Sequence, residues 1–530
     1  MTARRLLTLA GLSLGPVLVL AVFFVVPVSG MLSRGFEDGP GAVLDVLARD
    51  RTHRVVWFTL WSAGSATVLS VLLGLPAAYT LHRLAFPGRD VVRALLLVPF
   101  VLPTVVVGVA FRLLVRGTSL DGSAVTIVAG LVFFNVAVVI WVVGAAWESL
   151  DPRPAEAAAA LGASPTQVFR TVTLPALRPA VVSAASVVFL FCATSYGVVL
   201  TLGGLRYSSV ETEIYLLTTQ LLDLQAAAAL SIVQLLAITA LIVVAGRLRR
   251  TPDPTVSRRP TSPRRPRASD LPQLAVTLVA LALVAAPLVT LLLGSLRDDG
   301  AWTVANYRRL TTVGDRSALL VPVTDALVTS LRTAVDATWM SLLLGGLIAV
   351  VVSRRSLGRG ERRLRGALDA LFMLPLGVSA VTLGFGFLIT LHTSSRLLVP
   401  VAQALVALPL VVRTLVPVLT GIDDRQRQAA ASLGAGPLRA FWAVDVPAVR
   451  RPLLVAGGFA FAVSLGEFGA TSFLARDERP TLPVVIFRLI GSPGADNFGM
   501  ALAASVVLAA ATSVVVLVVD RYGVRRFGAV

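Results

Sequence analysis

The stretch EAAAALGASPTQVFRTVTLP, from Glu156 to Pro175, returns as RQAAASLGAGPLRAFWAVDVP from Arg427 to Pro447. Setting Gly162 on Gly434 gives an offset of 272 residues, which also pairs Leu161 with Leu433, Pro165 with Pro437, Phe169 with Phe441 and Pro175 with Pro447. The offset continues beyond the loop, placing Tyr196-Gly197 on Phe468-Gly469 and Ile214-Tyr215 on Ile486-Phe487. A single fixed offset of this length marks a duplicated domain and not a short repeat array. The division that follows is a first repeat over 1–250 with its loop at 153–179, a basic, proline-rich linker over 251–271, and a second repeat over 272–530 with its loop at 421–452.

Composition says what solvent the repeats live in. With 56% hydrophobic and 14% charged residues and a mean hydropathy of +0.83, the chain has too little polar surface to cover a soluble globule. Crossing about 30 Å of hydrocarbon takes about 20 helical residues, and the sequence offers twelve such stretches. In the first repeat they lie near Leu6–Val28, Val55–Leu81, Val91–Val115, Thr126–Trp147, Ala180–Leu202 and Ala226–Arg247. In the second they lie near Pro272–Leu296, Asp325–Val352, Ala367–Leu391, Leu397–Thr420, Pro452–Leu474 and Met500–Val519. The expected fold is therefore all-α and polytopic, about twelve transmembrane helices in two parallel six-helix repeats. The first stretch follows Arg4-Arg5 as a secretory signal would, but its apolar run is too long for one and has no Ala-x-Ala exit. It reads as an uncleaved helix.

All 47 basic residues are arginine. Without lysine the chain cannot build a Walker A phosphate loop or a Schiff base, so no ATP hydrolysis is expected on it. One cysteine, Cys192, and three dispersed histidines, His53, His82 and His392, leave no disulfide framework and no clustered metal site. The net charge of +18 does not point to nucleic acid. With the N-terminus in the cytoplasm, about 30 arginines fall in cytoplasmic segments and about 15 outside, the asymmetry of the positive-inside rule. The densest run, Arg247 to Asp270, reads as an extended cytoplasmic tether, with anionic lipid as an alternative ligand.

An even number of spans per half makes the repeats parallel, with a solute route expected at their seam. The repeated loops fall between spans four and five and between spans ten and eleven, on the arginine-rich side. Each has the pattern of a short helix, a break and a second helix. Glu156 to Leu161 is alanine-rich, Gly162 can take the left-handed conformation that ends a helix, and Pro165 can open the next.

Glu156-Ala157-Ala158, Gly162, Val172 and Leu174-Pro175 together resemble the EAA loop of permease subunits of bacterial binding-protein-dependent ABC importers. The second copy departs at Gln428 and Val446 but keeps Ala429, Ala430, Gly434 and Pro447. The resemblance covers both halves and implies a type I importer transmembrane domain in the bacterial inner membrane, with both termini cytoplasmic. It implies that Glu156, Ala157, Ala158, Gly162 and Pro175, with Gln428, Ala429, Ala430, Gly434 and Pro447, couple to two copies of a cytoplasmic ATPase carrying ATP and Mg. It also implies an extracytoplasmic solute-binding protein, with no cofactor on this chain. A permease with both halves fused resembles the thiamine and ferric-iron importers. FCATSYGVVLTLGGLRYSSVETEIY, Phe191 to Tyr215, is most similar to thiamine permeases. Thiamine or a related thiazole or pyrimidine compound, ferric iron, and another small solute stay open. An ion-coupled secondary transporter would share the twelve spans but has no need of paired EAA loops, and no nucleophile and base pattern favours a membrane enzyme.

Glu467 is an ionisable group inside a span, which is expensive in lipid and either structural or path-lining. Tyr196 and Phe468, equivalent in the two repeats, join it as path candidates, with Arg413 as its natural partner. Glu211 and Glu213 read as a solvated external face, with contact to a cationic substrate or a binding protein as the alternative. Gly64, Gly74, Gly108 and Gly384 read as close-packing positions between helices.

Overall fold

The computed structural model describes residues 2–204, 206–248, 263–354, 359–374, 378–391, 393 and 395–523. Most of the linker, residues 251–262, and His392 lie outside the described residues. Apart from a two-residue hairpin, Arg297–Asp298 with Ala301–Trp302, the described elements are helices. Helices satisfy every backbone group within one segment, which is what hydrocarbon demands.

Among the described residues ten helices are long and apolar enough to cross a membrane, against the twelve spans expected. The other two are interrupted. Val91–Val115 divides into Arg89–Leu97, a tight turn at Val98–Val101 and Thr104–Val115. Pro103 lies in the gap with extended backbone, φ −60° and ψ 137°. A proline also pushes its predecessor out of the helical region. Ala367–Leu391 divides likewise into Arg359–Met373 and Ala380–Thr390, the second opened by Ser379, whose hydroxyl accepts from the Thr382 N–H. Hydropathy averages across such breaks and cannot see them. Spans five and eleven also break near their ends, between Leu174–Ala193 and Gly197–Gly203, and between Val446–Gly466 and Thr471–Leu474.

The duplication is legible element by element. Val210–Thr219 matches Leu482–Gly491, Pro165–Val168 matches Pro437–Ala440, and the wide π-turns Phe169–Thr173 and Phe441–Asp445 match at the same offset. The compact units, however, do not follow the sequence repeats. One comprises Met1–Val43, Ile214–Ile232 and Asp298–Val530, the other Leu44–Glu213 and Val233–Arg297. Each repeat's first helix therefore belongs to the unit built by the other repeat. In the first unit Leu20 and Phe24 enter a core with Ile348, Phe372 and Phe387. Phe23 meets Phe387 at 5.9 Å between ring centroids, and Tyr215 meets Phe473 edge-on at 5.5 Å. In the second unit Thr277, on Leu271–Ser295, donates to Thr80 at 3.0 Å.

Small residues let the helices approach. A Cβ on Gly74 would stand 2.6 Å from the Val139 side chain, one on Gly108 would overlap Thr201, and one on Gly384 would stand 2.7 Å from the Ala470 backbone. Gly64 has nothing within 4 Å, so the packing role expected of it is not seen. Cys192 is buried, as a small packing residue should be, and accepts from Asn135 Nδ2 at 3.3 Å.

Candidate functional site

The two repeated loops have one geometry. Arg153–Ala160 and Asp424–Ser432 are short helices with no buried residue. Each ends in a Schellman turn, which pairs the last carbonyls with amides just past the helix. Gly162 N–H donates to Ala159 and Ala163 N–H to Ala158; Gly434 N–H donates to Ala431 and Ala435 N–H to Ala430. This places Gly162 at φ +87° and Gly434 at +81°, where an L side chain pays about 1–2 kcal/mol. After the first turn Ser164 and Gln167 form a reciprocal capping box, Ser164 N–H to Gln167 Oε1 at 2.8 Å and Gln167 N–H to Ser164 Oγ at 3.4 Å. The second loop has Gly436 there and no side-chain cap.

Both turns raise a leucine into the open, Leu161 at 89% and Leu433 at 88% exposure. Glu156, Ala157, Gln428 and Ala429 are exposed beside them, Ala158 and Ala430 are half-buried, and Pro175 and Pro447 open the spans that follow. The loops differ at the rim, where Leu438 and Trp442 are exposed at positions the first loop fills with Thr166 and Arg170. Each loop thus presents a surface of alanines around a protruding leucine.

Each loop is tied down differently. In the first, Phe169 stacks on Trp147 at 6.2 Å, and Trp147 lies against Tyr79 at 5.3 Å. The Tyr79 hydroxyl then meets the end of the linker. Arg264 makes a two-toothed ion pair with Asp270, at 2.8 and 2.7 Å, and donates to Tyr79 at 2.7 Å. The backbone of Arg264 bonds to both Arg83 and Ala85. The stretch expected to be a plain tether thus ends, over its described part, in a strap on helix Asp50–Arg83. In the second loop the tie is ionic: Asp445, 1% exposed, accepts from Arg354 and Arg427. Sequence reading missed Asp445. The signal was one acid where the first repeat has Thr173.

The path candidates separate. Glu467 is buried in the break before Thr471–Leu474, where its carboxylate accepts from the Ala470 N–H at 2.7 Å and from the Thr471 N–H and hydroxyl. Arg413 is not among its partners; it is exposed on helix Leu398–Gly421. Tyr196 and Phe468 are both buried, and Phe468 packs on Phe487 at 5.4 Å. Glu211 and Glu213 are not a solvated face. Both are buried, Glu213 in an ion pair with Arg51 at 2.5 Å and Glu211 accepting from Gln234. A carboxylate can be buried when a guanidinium or amide meets it, and the partners lie too far along the chain to be read from sequence. Among the described residues no cluster of three or more His, Cys, Asp or Glu side chains could hold a metal ion.

The chain resembles known proteins over both repeats. The thiamine transport system permease protein of Brucella abortus is 28% identical over 89% of this chain and 89% of its own length. The protein of the same name from Salmonella typhimurium is 27% identical over 93% of this chain and 94% of its own. A chain of a solved bacterial alginate ABC transporter is similar over 48% of this chain and 98% of itself, with TM-score 0.41 and 17% identity. The model of the binding-protein-dependent transport system inner membrane component matches twice, over residues 70–258 and 341–525, each match containing one repeated loop. The chain is therefore a multi-pass membrane protein of that family, a translocation subunit with two copies of the family domain fused in one polypeptide.

Proposed function

We propose that this chain is the permease of an ATP-driven thiamine importer. The observation that carries the substrate is full-length similarity, across both repeats, to relatives named for thiamine transport. It favours thiamine over ferric iron, the other reading the fused architecture allowed. A binding protein delivers the solute, as the family's description requires, and two copies of a cytoplasmic ATPase, holding ATP and Mg, dock on the two exposed loops. Both loops, both termini and the linker then face the cytoplasm, in keeping with the arginine distribution.

The chain's own part is mechanical. Exposed Leu161 and Leu433 seat in the ATPase, the left-handed glycines fix the angle of each docking helix, and Pro175 and Pro447 pass its displacement to the following span. Selection falls to the binding protein, since a deep well in the path would slow release. The test is ATP hydrolysis by the complete assembly in vesicles. Binding protein loaded with thiamine should stimulate it, and binding protein offered ferric iron should not. Stimulation by ferric iron alone would reject thiamine as the cargo.

A further inference from the structure

The second loop is joined to the membrane helices by a charged lock that the first loop lacks. Asp445 is the last residue of the π-turn Phe441–Asp445, which leads into Val446–Gly466. Its Oδ1 accepts from Arg427 Nε at 3.0 Å and Nη2 at 2.6 Å, and its Oδ2 from Arg354 Nη2 at 2.8 Å. Arg427 belongs to the docking helix Asp424–Ser432, and Arg354 follows directly on Val323–Ser353. Arg427 further donates to Asp424 at 3.0 Å and to the Leu419 carbonyl, in Leu398–Gly421, at 3.3 Å. One buried carboxylate and two guanidiniums therefore bind the docking helix to three spans.

At the constant offset the first repeat has Thr173 for Asp445, Ala155 for Arg427 and His82 for Arg354. His82 there faces Glu148 at 2.6 Å, and the first loop is held through the ring contacts of Phe169, Trp147 and Tyr79. Ring contacts permit sliding. Charge-assisted bonds fix direction as well as distance, and a buried carboxylate between two guanidiniums resists separation because drawing the cations away would leave the carboxylate buried and uncompensated.

We propose that Asp445 is a positioning residue for energy coupling, locking the second docking helix to its spans so that this loop moves with them as one body while the first remains compliant. The inference rests on the reading of the loops as ATPase docking sites. An ATPase pair would then drive the two halves unequally, with the second as the stiffer lever.

The experiment measures thiamine transported per ATP hydrolysed in vesicles carrying the chain, its ATPase and its binding protein. Asp445→Asn keeps the shape and removes the charge. The ATPase should still co-purify and hydrolyse ATP, while the transport ratio falls by about tenfold, the rate equivalent of one charge-assisted bond. Asp445→Glu should recover part of the ratio, which a merely space-filling role would not predict. If Asp445→Asn fails to accumulate, the triple variant Asp445→Asn, Arg427→Gln, Arg354→Gln leaves no buried charge unpaired and should show the same low ratio. A wild-type ratio in either variant overturns the lock. If Gly162→Val and Gly434→Val also leave ATPase binding and uptake untouched, the docking reading itself has failed; if they uncouple the assembly while Asp445→Asn does not, only the lock has.

Discussion

Glu467 shows how far a single residue can be read from sequence. An acid inside an apolar stretch is visible at once, and the cost of burying it requires partners. Which partners is a question of backbone shape. The helix stops at Gly466, and the freed amides of Ala470 and Thr471 fall on the carboxylate, so the charge closes a break that no periodicity announces. Replacing Glu467 with Gln puts an amide donor against backbone donors. The expected loss is about 1–3 kcal/mol, measured as a lower melting temperature of the purified chain in detergent. Uptake should slow, with the preference among substrates unchanged. A switch of substrate would mean that the path itself selects. Glu156 poses the opposite case, an exposed charge with Gln428 as its counterpart. If it meets an arginine of the ATPase, Glu156→Gln should weaken coupling more than Gln428→Ala. A double-mutant cycle against that arginine checks this, and zero coupling energy would leave Glu156 as a helix former only.

Among the elements, the loops were the most legible, because their order of Ala run, Gly and Pro dictates helix, left-handed turn and new helix start by local chemistry alone. Substituting Gly162 or Gly434 with Val should strain the turn by about 1–2 kcal/mol and misdirect the short helix before it. Uptake and stimulated hydrolysis should fall while membrane insertion persists; unchanged uptake in both variants would count against docking. The strap at Arg264 and Asp270 was not legible, since its partner Tyr79 lies 191 residues from Asp270. Arg264→Ala should free the linker end from helix Asp50–Arg83, read as faster proteolysis between 251 and 270 than in the wild type. Equal cleavage rates would mean that the backbone bridge alone holds the strap. The interrupted spans were hidden for the reason that hides them everywhere: apolar residues on both sides of Pro103 look continuous to a hydropathy window.

At the scale of the molecule, duplication was plain in the sequence while the exchange of first helices was not. Sequence offset records ancestry, whereas a compact unit records which apolar faces meet, and Thr2–Gly35 carries no mark saying that Phe387 and not its own repeat will cover it. Residues 1–250 expressed alone should consequently aggregate or melt well below the intact chain, and co-expression with 251–530 should restore the fold. An isolated first repeat as stable as the whole would show that the exchange contributes nothing. The central claim is that ATP, hydrolysed on a separate subunit seated on both loops, moves thiamine through this chain. Its most direct test is thiamine accumulation in vesicles holding the chain and its binding protein, with and without the ATPase, and with and without an imposed ion gradient. Accumulation that requires both the ATPase and ATP is the predicted result; accumulation driven by an ion gradient without the ATPase would contradict it.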